Sequence, residues 1–473
     1  MPAMNRCSAK AETGSPPMRI RAWSAGLATT LLALGLAACG GGGGGSDGNS
    51  PAPLGLVKVT VRDTFGTSVA GATVLGPQGP VVTDLRGEAL VVLPSPDATA
   101  GITVSNTAFV EQIVSATSAT GRVAEVDVTL ARATSAAGGS LSTRSGRLPS
   151  ANSSGEQLTF EIELVVVDGN SKPIENLSQA NFVLRACSPS SASASVSCVR
   201  GTGTSVDVAY APVTPAPEAL ERVAGLDVQP YAAALLLDQS GSIQQSDATG
   251  ARLFSSKVFL DGLGVDDQAL VAAFAGGTGA MLPTRPLTLY GAFRARNAVS
   301  SYFPVLDGLS KLVGGNTPLY ASIDALGQHL KTGASVPTGL GKAMVIFTDG
   351  ADTDCSGVEA CRASRMRTIQ QANQDQVRLF TIGLSHGVDV AALGELANQT
   401  GGALLYADTP EQLLPLYGSV GRLLSLSLPT YRLRWTVQAA AAGAFRPGQS
   451  LIGRVQVSAA GKVFDVPFIV GIP

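Results

Sequence analysis

Three leucines, Leu235 to Leu237, run directly into Asp238-Gln239-Ser240-Gly241-Ser242. The step from apolar run to carboxylate and alternating hydroxyls is too abrupt for a strand that simply continues. Two further oxygen-bearing side chains stand in similar settings. Thr317 lies in the glycine-rich stretch Gly314-Gly315-Asn316-Thr317-Pro318, and Asp349 closes the apolar run Met344-Val345-Ile346-Phe347-Thr348. Carboxylate and hydroxyl oxygens are hard donors, suited to Mg²⁺, Mn²⁺ or Ca²⁺ rather than to zinc or copper. Mg²⁺ is the first choice of cofactor, with Mn²⁺ or Ca²⁺ as alternatives. With only two protein carboxylates, Asp238 and Asp349, a divalent cation would welcome a third from outside.

These residues need a scaffold that brings their loops to one place. From Tyr231 onward, short apolar runs alternate with helical patterns. The runs are Ala232–Asp238, Ala269–Gly276, Lys342–Gly350, Val377–Leu384 and Ala403–Asp408. Helical patterns fall near 249–263, 318–330, 363–375, 388–398 and 410–424. Strands apolar on both faces and alternating with helices predict a parallel sheet covered on both sides. In such sheets ligands bind outside the carboxyl ends of the strands. Asp238 and Asp349 sit at two of those ends, and Thr317 is expected to cap the helix that Pro318 opens.

The constellation resembles the metal-ion-dependent adhesion site of von Willebrand factor A domains. Asp238-Gln239-Ser240-Gly241-Ser242 matches that family's Asp-x-Ser-x-Ser, and Thr317 and Asp349 match its later Thr and Asp. The resemblance spans about residues 228–427. It implies a doubly wound, mostly parallel α/β sheet of Rossmann-like type, inserted in or flanked by β-sandwich domains. It also implies that Ser240, Ser242 and Thr317 give neutral oxygens while Asp238 and Asp349 act directly or through water, and that one position stays open for an Asp or Glu of a protein ligand, the expected partner.

The N-terminal region points to export. Arg19 and Arg21 precede an apolar stretch, Gly26 to Leu36, too short to span a bilayer as a mature helix. It ends in Leu36-Ala37-Ala38-Cys39, which resembles a bacterial lipobox and implies cleavage before Cys39 and lipidation of its thiol. Residues 1–38 read as a signal peptide whose start is residue 1 or Met18, and 39–54 as a tether opening with Gly40 to Gly45. The expected location is the bacterial cell envelope, lipid-anchored at the outer membrane, since Gly40 rather than Asp follows the cysteine.

Residues 55–132 read as short strands, with Val57, Val59 and Val61 alternating with polar neighbours. The stretch from Asp63 to Pro94 resembles carboxypeptidase regulatory-like, transthyretin-like β-sandwiches. Residues 133–156 are Ser/Gly/Ala-rich and read as a linker. Residues 157–227 and 428–473 read as two parts of one β-rich domain around the α/β domain at 228–427. Four cysteines remain in the body, and an even count in an exported chain points to disulfides. Of the possible connectivities, the sequence-local pairs Cys187–Cys198 and Cys355–Cys361 are expected.

The 473 residues are 45% apolar with a formal net charge of −2, which argues against a general nucleic-acid or polybasic membrane binder. Gly383-Leu384-Ser385-His386-Gly387 matches G-x-S-x-G, but a nucleophile elbow would need a later histidine and none follows. His329 reads as a helix residue. Asp352 and Asp354 read as a solvated loop beside a disulfide. The expectation is a non-enzymatic binding protein, for adhesion or protein–protein interaction. The alternative is an envelope scaffold in which the domain packs on a fixed partner.

Overall fold

The computed structural model describes residues 55–472, apart from 64–65, 107–108, 110, 131–137, 143–149, 153, 189–197, 201–207, 225–229, 265, 386 and 425–427. The signal peptide, Cys39 and the glycine tether lie outside the described residues. No helix among the described residues is long and apolar enough to cross a membrane.

The alternating valines of Gly55–Asp63 build the first core. Val57, Val59 and Val61 are fully buried. This strand lies between Glu88–Leu93 and Ala124–Leu130, and a second sheet runs in the order Gly79–Val82, Thr73–Gly76, Thr99–Ser105, Gln112–Thr117. The inward residues of both sheets, including Val74, Val91, Ile102, Val104, Val114 and Val128, form one cluster.

The continuous apolar runs form parallel strands. They are β1 (Tyr231–Asp238), β2 (Gln268–Phe274), β3 (Gly341–Thr348), β4 (Val377–Leu384) and β5 (Ala403–Ala407). Their order is β5-β4-β3-β1-β2, with the short antiparallel strand Leu287–Leu289 outside β2. The helices that cover the sheet are α1 (Ala251–Asp261), α2 (Phe303–Leu309), α3 (Leu319–Thr332), α4 (Val358–Gln374), α5 (Val390–Gln399) and α6 (Leu413–Leu424). Every residue of β1 is buried because both faces are covered. Ala234 and Leu236 join the core that holds α3, α4 and α5, while Leu235 and Leu237 join the one that holds α1, α2 and α6.

The sheet does not stop at β5. Gly138–Ser142 pairs antiparallel with β5 on one side and with Gln157–Val167 on the other. Gln157–Val167 in turn pairs with Thr430–Ala439. The linker expected at 133–156 is therefore corrected in part, because residues 138–142 are a strand that joins the parallel sheet to the strand-rich region beside it. A separate sheet carries Phe182–Leu184, Ser450–Ala459 and Lys462–Gly471. The two sheets meet through Phe160, stacked on Phe468 at 5.2 Å and on Trp435 at 6.3 Å between ring centroids. The fold is thus mixed α/β with several sheets.

Both disulfides form, Cys187–Cys198 and Cys355–Cys361. The first joins the chain just after Phe182–Leu184 to buried Cys198, and the second ties the loop after β3 to the first turn of α4.

Candidate metal centre

The loop after β1 turns at once because Asp238 Oδ1 accepts the N–H of Ser240 at 2.8 Å, an aspartate-initiated turn. Asp238 Oδ2 accepts from Thr348 Oγ1 at 2.6 Å, which links the ends of β1 and β3. Ser240 Oγ and Ser242 Oγ are 3.2 Å apart. Ser242 Oγ donates to Asp349 Oδ1 at 2.8 Å. Thr317 arrives on a third loop held by backbone: Gly314 N–H donates to Gln239 O (2.8 Å) and Gly241 N–H to Gly315 O (3.0 Å). Gly315 has φ of +87°, and a Cβ there would lie 2.7 Å from that of Ala280, so only glycine fits. The Thr317 hydroxyl faces the Asp349 loop, 3.8 Å from where a Cβ on Gly350 would stand. All five sequence-chosen oxygen residues thus gather at the carboxyl ends of β1 and β3.

Asp238 is wholly buried, Ser240, Thr317 and Asp349 nearly so, and Ser242 is exposed. The cluster opens to solvent on one side. Burial, with Asp349 adding repulsion, pushes the Asp238 carboxyl up to about 6. The hydrogen bonds of the two carboxylates come from hydroxyls and a backbone amide. Among the described residues no group of three His, Cys, Asp or Glu side chains could hold a metal. A cation here would depend on hydroxyl oxygens. The donor set fits a hard divalent ion: hydroxyl and carboxylate oxygens converge, and a positive charge would relieve the repulsion between the carboxylates.

Several residues at this rim escape the sequence pattern. Ser246 Oγ donates to Asp349 Oδ2 at 2.5 Å. Its signal was present: it sits four residues after Ser242, one turn on along the short helix Ile243–Ser246. Thr348, one residue before Asp349, holds Asp238. Behind the loop, buried Arg252 donates to Gln239 Oε1 at 3.0 Å and pairs with Asp247 at 2.6 Å.

Thr317 does not cap α3. The helix begins at Leu319, Pro318 stands at its N-cap, and no side chain of that residue satisfies the first turn. Asp352 Oδ2 instead accepts the N–H of Tyr320 at 2.9 Å. Asp352 is therefore a cap supplied from another loop rather than a solvated loop residue. Ser385 has φ of 67°, its N–H donates to Ala407 O at 2.8 Å, and its hydroxyl accepts the Gly387 N–H at 3.5 Å; His386 lies outside the described residues.

The model of the von Willebrand factor type A domain matches residues 234–416. This stretch is a von Willebrand factor type A domain. No curated protein sequence is significantly similar to the chain. Solved structures share the likeness at low identity. A von Willebrand factor type A protein from Catenulispora acidiphila is 15% identical, covering 57% of this chain and 75% of its own, with a TM-score of 0.34. The proximal thread matrix protein 1 of the mussel byssus, with a zinc-occupied MIDAS motif, is 19% identical over 42% of this chain and 49% of its own, TM-score 0.31. The pilus adhesin SpaC of Lactobacillus rhamnosus GG is 9% identical over 68% of this chain and 47% of its own, TM-score 0.34. The A domain accounts for the five parallel strands and the rim that carries Asp238, Thr317 and Asp349.

Proposed function

We propose that this chain is a lipid-anchored protein of the bacterial cell envelope that captures a protein ligand through a divalent-cation site in its A domain. The observation that carries the reading is the convergence of Asp238, Ser240, Ser242, Thr317 and Asp349 at one rim of the sheet, with two carboxylates held by hydroxyls and amide. We read the sheet, helix-covered on both faces, as doubly wound, and the rim as a metal-ion-dependent adhesion site. Asp238, Ser240, Ser242, Thr317 and Asp349 would hold the cation, Mg²⁺ before Mn²⁺ or Ca²⁺. When bound, it supplies positive charge and a free coordination position for a carboxylate brought by the partner.

The chain's own residues prepare the site. Asp238 fixes the turn that presents Ser240 and Ser242, and Thr348 holds Asp238 in place. Ser242 and Ser246 aim the Asp349 carboxylate. Exposed Ser242 marks the side from which a partner approaches. The role is binding, and no step of catalysis is assigned. The Leu36–Cys39 lipobox supports the anchor and outer-membrane location, and the N-terminal sandwich is read as carboxypeptidase regulatory-like. Replacing Cys39 by Ala should move the protein out of the detergent phase or leave it uncleaved; an unchanged size and partitioning would remove the anchor from the reading.

The decisive test is calorimetric titration of Mg²⁺ and Mn²⁺ into the purified protein, wild type against Asp349→Ala. The variant loses a carboxylate but no core packing. Its affinity should fall at least about 100-fold, or ~2.7 kcal/mol. Equal binding by both proteins, or none by the wild type at millimolar cation, overturns the cation site. Stable, EDTA-resistant capture of one envelope partner would then favour a fixed scaffold.

A further inference from the structure

The loop after Asp349 is tied to the Thr317–Tyr320 segment by three hydrogen bonds, two of them at Thr317. Thr317 N–H donates to Thr353 Oγ1 at 2.8 Å, and Thr353 N–H donates back to Thr317 O at 3.0 Å. Asp352 Oδ2 takes the Tyr320 N–H at 2.9 Å, which fixes the start of α3 three residues beyond Thr317. Asp352 Oδ1 also takes the N–H groups of Asp354 and Cys355, each at 3.0 Å, so the carboxylate organises its own loop as well. Thr353 and Asp354 are exposed, and neither belongs to the buried core. An exposed loop with so few apolar contacts has little to hold it in one conformation. The Cys355–Cys361 disulfide supplies the missing anchor, tying the end of the loop to α4, whose first turn is closed by Cys361 N–H on Gly357 O at 3.1 Å.

We propose that Asp352 and Thr353, anchored by the Cys355–Cys361 disulfide, are positioning residues that hold Thr317 opposite Asp349, and that the cation affinity of the rim depends on this disulfide. The inference rests on the cation reading above and adds its control. Asp349 and Thr317 lie on separate loops, one leaving β3 and one entering α3. Their side chains share the rim only while those loops stay in register. Backbone bonds through Gly314 and Gly315 hold the Thr317 loop to the Ser240 loop, and the Thr353 pair holds it to the Asp349 loop. Asn316 is also bridged to Gly276 on the β2 side, so without the Thr353 pair the Thr317 loop stays attached to its neighbours but loses its hold on the Asp349 loop. The role suits an exported protein, in which the disulfide persists; opening it would loosen a binding site and disturb only the edge of the core, where Cys355 packs.

The test titrates Mn²⁺ into the full protein and follows amide hydrogen exchange of residues 315–321. Thr353→Val removes the hydroxyl while keeping the size and the disulfide, and should weaken Mn²⁺ about tenfold. Thr353→Ser restores the hydroxyl and should stay within about twofold of wild type. Cys355→Ser/Cys361→Ser should weaken Mn²⁺ by a similar factor of about ten and speed exchange at Thr317 and Tyr320. The remote pair Cys187→Ser/Cys198→Ser should leave affinity unchanged, which separates a local effect from general loss of stability. If wild type binds Mn²⁺ and both Thr353→Val and the Cys355/Cys361 variant bind equally well with unchanged exchange, the positioning role is wrong and the cation site stands. If wild type binds no Mn²⁺, both fall together.

Discussion

At the scale of the residue, Asp238 carries the tension of the site. Its carboxyl is wholly buried and is pushed from 3.8 to about 6, first by burial and further by Asp349, against the hydrogen bonds from Thr348 and Ser240. The sign of the consequence follows. Below about pH 4 the residue is protonated in both folded and unfolded chains, and nothing is lost. As pH rises from about 4 to 6 the unfolded chain ionises while the folded one keeps its proton, so folding weakens, by about 3 kcal/mol once pH exceeds 6. Asp261 is also pushed up to about 6 by burial and adds to the same slope. The two separate by substitution. Asp238→Asn should remove only the first share of the fall in urea midpoint between pH 4 and 7. Saturating Mg²⁺ should flatten that share in wild type and leave the variant unmoved. Superimposable pH curves for wild type and Asp238→Asn, with and without Mg²⁺, would contradict this account.

At the scale of the element, the sequence exposes what is locally determined. Strands β1 to β5 are buried on both faces, so each reads as a continuous apolar run, and all five were legible. Helices α1, α3, α5 and α6 are legible to within three residues of their ends, whereas α4 begins at Val358, five residues before the start its pattern shows. Four of the five oxygen residues of the rim are legible because they follow a continuous apolar strand; Thr317 is legible from its glycine-rich loop, although it does not open the helix. What escaped depends on distant partners. Gly138–Ser142 has no apolar periodicity, and only pairing with Glu163–Val167 and Ala403–Tyr406 makes it a strand. The helical segment from Arg296 to Leu309 was missed, though Val299, Leu306 and Leu309 bury there against the sheet. The cap of α3 was assigned to Thr317, its neighbour, but comes from Asp352, 32 residues away from the amide it satisfies. A local pattern can show that a helix needs a cap, but the fold chooses which side chain supplies it.

At the scale of the whole molecule, the N-terminal sandwich is docked on the A domain rather than merely joined to it. Thr129 N–H, on the strand Ala124–Leu130, donates to Asp261 Oδ2 at 2.9 Å. Arg296 Nη1 stands 3.6 Å from the other oxygen of that carboxylate, and both side chains are buried. The contact lies at the far end of the sheet from the rim. Asp261 ends α1, and nearby Asp267 accepts the N–H of Tyr231, where β1 begins, whereas Asp238 stands where β1 finishes. The sandwich therefore leaves the Asp238–Asp349 rim open. An ion pair from Glu111 of the sandwich to half-exposed Lys172 of the strand-rich region, at 3.0 Å, is open to solvent on the lysine side and contributes little. Asp261 is thus the residue on which the docking turns. Asp261→Ala strands a buried guanidinium and the Thr129 amide, and should destabilise the protein by about 3–5 kcal/mol. Asp261→Asn keeps an oxygen for Thr129 and loses only the charge, so its cost should be smaller. In the Asn variant hydrogen exchange of residues 124–130 should rise while Mg²⁺ affinity holds, because the rim lies at the opposite end of the strands. If exchange stays at the wild-type level in both variants, the docking rests on other contacts. If instead Mg²⁺ affinity falls along with it, the sandwich and the rim are coupled through the sheet.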